Sequence, residues 1–113
     1  MQIINKEKRQ NIRFNISTPL RYQIRGSQDF GNTVTKNISK DGASFVVDKF
    51  IRPQTRLAVD FSILSRNINS IGSVRWAGVI PHSDKYQVGL EFIGIDPKDK
   101  NYIVDYFDMH LHK

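Results

Sequence analysis

Arg56-Leu57-Ala58-Val59-Asp60-Phe61-Ser62-Ile63-Leu64 is the stretch from which the fold can be read. Leu57, Val59, Phe61 and Ile63 alternate with Asp60 and Ser62, so a strand here buries one face and wets the other. The same period of two recurs on both sides. Downstream, Val74, Trp76 and Ile80 share a parity within residues 71–80, which assigns Trp76 to the core and turns Arg75 outward. Residues 86–93 place Val88, Leu90 and Phe92 on one face and Gln87, Gly89 and Glu91 on the other. Upstream, Leu20, Tyr22 and Ile24 alternate with Arg21, Gln23 and Arg25. Thr33, Val34 and Thr35 make residues 32–38 rich in β-formers, and Ala43, Phe45 and Val47 repeat the pattern.

Turn signals separate these runs: Gly26-Ser27, Asp41-Gly42, Arg52-Pro53 and Pro81-His82-Ser83-Asp84. Short strands at regular spacing predict an all-β barrel or sandwich, and closing a barrel removes exposed sheet edges. The period then changes. Asp96 is an N-cap, Pro97 suits the first helical position, and Asp99 complements the first turn. Ile103, Tyr106, Phe107 and His110 recur at helical spacing, predicting one amphipathic helix from 97 to about 111 that packs on its own barrel. The expected organisation is a single domain over 1–113: a basic N-terminal arm (1–13), a barrel (14–95) and a C-terminal helix (96–113).

The 113 residues suffice for one core and not for two. No apolar run approaches the ~20 residues of a membrane helix, and the polar, basic start has no signal-peptide core. The expectation is a cytoplasmic protein without membrane insertion. The absence of cysteine excludes disulfides, thiolate catalysis and cysteine metal sites. The formal net charge of +6 is concentrated: the first 25 residues carry +5 and the other 88 carry +1. A focused basic segment suggests an anionic partner, against the plainer reading of a solvated tail.

Two polar clusters carry the functional signal. Lys8-Arg9-Gln10-Asn11-Ile12-Arg13 holds an R-x-x-x-R pair ahead of the first strand. Asn37-Ile38-Ser39-Lys40-Asp41-Gly42 is an N-x-S-x-x-G run at a strand end. In a strand, Asn37 and Ser39 share a face while Ile38 points into the core. Gly42 can adopt positive φ and lets a ligand approach the backbone. The plain alternative for this run is an ordinary Asp-Gly hairpin. His110 and His112 lie two apart on a helix, on different faces, which argues against a metal site. No nucleophile with a base and no phosphate loop ahead of a helix is visible, so nothing speaks for an enzyme.

Together and in this order, the two clusters resemble the signature of the PilZ family, R-x-x-x-R followed by [D/N]-x-S-x-x-G. Gly72-Ser73-Val74-Arg75-Trp76 and Gly89-Leu90-Glu91-Phe92 resemble the later strands of that family. The resemblance spans essentially the whole chain. It implies a six-stranded antiparallel β-barrel with a C-terminal helix. It also implies cyclic di-GMP as ligand; no other cofactor is expected, and the residues themselves call for no metal.

By the resemblance, Arg9, Arg13, Asn37, Ser39 and Gly42 bind the nucleotide, and Gly89 lies near it. Lys8 occupies the position that influences whether one nucleotide or a stacked pair is held, and a basic residue there leans toward the pair. The chemistry agrees. An arginine fork meets guanine O6 and N7 together, and it also bonds phosphate or stacks on a purine. Asn37, where the family more often has Asp, removes a negative charge beside a dianionic ligand and keeps part of the acceptor capacity.

The expected mechanism is a flexible arm that closes over the docked nucleotide and alters a surface for an unidentified protein partner. The family's outputs include motility, polysaccharide synthesis, pili and virulence. Two other readings compete. One is a nucleic-acid-binding small β-barrel, disfavoured because the charge is focused on the arm and the aromatics mostly sit at core parity. The other is a PilZ-like protein-interaction module that binds no nucleotide.

Overall fold

The computed structural model describes residues 14–111, with side chains up to Met109; Lys8, Arg9 and Arg13 lie outside the described residues. Six strands run in chain order: β1 (Pro19–Ile24), β2 (Phe30–Ile38), β3 (Gly42–Val47), β4 (Arg56–Ile63), β5 (Arg66–Val79) and β6 (Tyr86–Ile95). They close into an antiparallel barrel in the order β1-β2-β3-β6-β5-β4. A helix, α1 (Pro97–Leu111), follows. The barrel and the helix are those expected from the alternating and helical periods.

The deciding stretch behaves as its alternation requires. Leu57, Val59, Phe61 and Ile63 are all 2% exposed or less. From the facing walls come Leu20, Phe45, Val74, Val88 and Leu90, equally buried. Phe61 stacks on Phe92 at 5.9 Å between ring centroids, crossing the interior. Asp96 caps α1 by accepting from the Lys98 N–H at 2.8 Å. The helix then drives Ile103 and Phe107 into the barrel core. Arg66 Nε holds the Asp99 carboxylate at 2.9 Å, and the Tyr102 hydroxyl donates to the Ile63 carbonyl at 3.2 Å, so the β4–β5 hairpin is tied to the first turns of α1.

Three expectations need correction. Leu64 does not continue the strand: its φ is +57° and it is 74% exposed, because it makes the turn into β5. β5 begins at Arg66 rather than near 71, since Asn67, Asn69 and Ser70 hide an alternation in which Ile68 and Ser70 are buried. Trp76 is not core. Val74 pairs with Leu90 and Trp76 pairs with Gly89, the next residue along β6. Arg75 is therefore an extra residue, a β-bulge that turns the following side chain to the other face. Trp76 is 46% exposed on the outside of the barrel.

Candidate functional site

The bulge brings four residues into one row across the outer wall. Asn37 pairs with Ser44, Ser44 with Gly89, and Gly89 with Trp76. Neighbouring strands lie about 4.8 Å apart, so the row spans roughly 14 Å from β2 to β5. The Trp76 indole lies directly on Gly89: a Cβ there would fall 2.2 Å from the ring's Cε2 and Nε1. Gly89 is thus the floor on which the ring rests. Beside the row, Arg75 Nε meets Glu91 Oε1 at 3.0 Å, both side chains well exposed.

Ser44 is the residue that the sequence reading passed over. It is 1% exposed, and its Oγ has no hydrogen-bond partner among the described residues. An unpaired buried hydroxyl costs about 1–3 kcal/mol, so its survival between Asn37 and Gly89 calls for a reason. The only signal in sequence was an outward-parity serine between Ala43 and Phe45.

The other motif residues have structural duties. Ile38 is fully buried and Asn37, on the opposite parity, is half-buried. Ser39 is 4% exposed and organises the β2–β3 turn. Its Oγ accepts from the Asp41 N–H at 3.1 Å, and its own N–H donates to the Gly42 carbonyl at 2.8 Å. Gly42 does not use positive φ; among the described glycines only Gly26 does. Its requirement is a close approach. A Cβ would sit 2.0 Å from the Leu90 carbonyl oxygen, so only glycine lets β3 lie against β6 here. The Asp41 carbonyl accepts from the Phe92 N–H at 2.8 Å and fixes the turn to β6. Its carboxylate lies 2.9 Å from Lys40 Nζ and 3.9 Å from Lys100 Nζ on α1.

Phe14, next in the chain after Arg13, closes the arrangement. Its N–H donates to the Ile38 carbonyl and the Ile38 N–H donates to its carbonyl, both at 2.9 Å. The residue that follows the R-x-x-x-R segment is therefore strapped between Asn37 and Ser39. Among the described residues the groups with shifted titration lie away from this row: Tyr22 on β1, and Asp48 and Lys85 past the Val47 end of β3. Burial, and after it the Asp48 charge, raises the Tyr22 hydroxyl. The Lys85–Asp48 hydrogen bond holds the Asp48 carboxyl below its ordinary value and Lys85 above its own. Among the described residues no cluster of three metal-ligating side chains occurs, and no helix is long and apolar enough to cross a membrane.

Solved structures share this barrel. The Bacillus subtilis inhibitor of motility (MotI/DgrA) superposes with a TM-score of 0.77 at 21% identity, over 90% of this chain and 51% of that one. MrkH of K. pneumonia gives 0.74 at 16% identity, over 91% of this chain and 49% of that one. The PlzA protein of Borreliella burgdorferi, solved in complex with c-di-GMP, gives 0.64 at 18% identity, over 94% of this chain and 45% of that one. The chain thus spans about half the length of these proteins. No curated protein matches it. The PilZ domain profile matches residues 7–108, from the R-x-x-x-R pair through the barrel and nearly all of α1. With the paired motifs, the closed six-stranded barrel and a match over most of its length, the chain belongs to the PilZ domain family.

Proposed function

We propose that the chain is a cyclic di-GMP receptor whose site is completed when the segment bearing Arg9 and Arg13 meets the outer face of β2, β3 and β6. The observation that carries this reading is the double hydrogen bond between Phe14 and Ile38. It ties Phe14, the residue that follows Arg13 in the chain, beside Asn37 and Ser39, which supports a meeting of the two halves of the motif. The family membership supports the reading, as does the PlzA complex with the same nucleotide.

In this reading Arg9 and Arg13 supply planar forks to guanine O6 and N7 or to phosphate. Asn37 offers its amide to a guanine edge. Ser39 and Gly42 act by holding the turn and the β3–β6 approach, and Gly89 acts by seating Trp76. That exposed indole is a platform on which a purine can stack. Lys8 adds charge for a second, stacked nucleotide. Output passes to a protein partner through the altered surface.

Isothermal titration with cyclic di-GMP, run beside GTP and a short oligonucleotide, tests the proposal. Selective micromolar or tighter binding, lost in Arg9→Ala and Arg13→Ala, supports it, and two nucleotides per chain supports the role of Lys8. Oligonucleotide binding that cyclic di-GMP does not displace would shift the function to nucleic acid. Binding of neither would leave a protein-interaction module.

A further inference from the structure

At the end of the barrel away from the motif turn, the seam between β2 and β3 comes apart. The last register pair is Thr35 with Phe45. Past it, the Thr33 hydroxyl donates to the Val46 carbonyl at 2.6 Å, a side chain standing in for a ladder bond. Phe30, Gly31 and Asn32 pair with β1 on one side and have no register partner in β3 on the other. The opening holds a cavity of about 810 Å³, within the usual range of ligand sites.

Three features describe what fits. The floor is apolar, formed by Tyr22, Val47 and Ile51. At the mouth Phe30, Val34 and Phe50 stand 57%, 50% and 51% exposed, even with the Arg21 guanidinium over the Phe30 ring at 5.0 Å and Phe50 edge-on to Tyr86 at 5.5 Å. Lys36 and Lys49 line the same mouth, and neither makes an ion pair among the described residues, whereas Lys85 is held by Asp48 at 2.6 Å. Against Asp29 the two lysines leave the mouth with surplus positive charge.

We propose that this cleft docks an extended segment of a partner protein, which adds to the open edge of β2 at 30–32 and carries an apolar side chain flanked by acidic residues. The open edge selects for a peptide: strand addition gives each main-chain group a partner, which a lipid chain cannot do. The apolar side chain enters between Phe30 and Phe50, and its acidic neighbours meet Lys36 and Lys49. The docking does not require the nucleotide reading to hold. Both sites share β2, on either side of the irregularity between Thr35 and Asn37.

The test is selection of a phage-displayed library of random dodecapeptides on the nucleotide-free full chain. Enriched peptides are then titrated by fluorescence anisotropy against the native protein, Phe30→Asp, and the double variant Lys36→Glu with Lys49→Glu. All three positions are exposed, so the variants should keep the barrel, which far-UV circular dichroism checks. The proposal expects enriched sequences with an apolar residue beside acidic ones, and a loss of ~10-fold or more in each variant, as central interface contacts give. Proline within the docked stretch should abolish binding. Failure to enrich any peptide, or equal binding to native and variant proteins, overturns the proposal. Displacement of the peptides by dodecanoate with proline tolerated would overturn it in favour of an acyl-chain site.

Discussion

Phe14 lies face to face with Phe107, the ring centroids 4.2 Å apart and the planes within 8°, while its main chain exchanges two hydrogen bonds with Ile38. One residue thus joins the end of the arginine segment, the strand bearing Asn37 and the C-terminal helix. Asp41 reaches the same helix through Lys100. In the proposed site, a ligand held by Arg9 and Arg13 would act next to Phe14, whose ring lies on α1.

Truncation at this junction should separate stability from binding. Phe107 is 7% exposed in the core, so Phe107→Ala should cost about 3–5 kcal/mol in chemical denaturation. Phe14 is only half-buried. Phe14→Ala should lose the stacking, about 0.5–1.5 kcal/mol beyond buried area, and should weaken cyclic di-GMP binding as well. A normal titration of Phe14→Ala would remove Phe14 from the account of the site.

Gly89→Ala tests the platform. The new methyl collides with the indole, so Trp76 must leave its seat. Trp76 is the protein's single tryptophan, and its emission should shift to longer wavelength as it moves into water. Nucleotide affinity should drop about tenfold, the loss of ~1–3 kcal/mol expected of one base-stacking contact, with little change in melting temperature. Trp76→Ala should reproduce that loss.

Gly42→Ala should behave in the opposite way. The obstruction is the Leu90 carbonyl, a rigid backbone atom, at 2.0 Å from the added carbon. The variant should lose about 1–3 kcal/mol or more by forcing β3 from β6, visible by thermal unfolding without any ligand. A stable Gly42→Ala that merely fails to bind would make this glycine a ligand contact and not a packing requirement.

Ser44→Ala should raise or leave unchanged the stability of the ligand-free protein, because it removes a buried hydroxyl that lacks a partner. If the hydroxyl serves the nucleotide, affinity falls in the same variant. Paired denaturation and titration read both signs. A variant less stable than the native protein would mean that the hydroxyl has a partner in the free state.

Much of the fold was legible because a half-buried strand writes its geometry into adjacent residues, as in Leu57, Val59, Phe61 and Ile63. The start of β5 was not, since Asn67 and Asn69 leave little apolar contrast around Ile68. Trp76 misled because parity is counted within one strand, whereas a bulge is defined by the partner, here the step from Leu90 to Gly89. Asn37, Ser39 and Gly42 were visible as a motif, yet sequence did not distinguish the turn-forming duty of Ser39 or the packing duty of Gly42. Ser44 and the opening between β2 and β3 were silent, since both depend on where register pairing stops, and nothing local to Thr35 records that.

The central claim is one of place, and amide chemical-shift mapping of the labelled protein during a cyclic di-GMP titration tests it most directly. The account predicts that the perturbed signals are those of Phe14, Asn37, Ser39, Gly42, Ser44 and Gly89, together with the Trp76 indole N–H. Perturbation confined to Gly31, Thr33, Val47 and Ile51, or spread evenly over the barrel, would contradict it.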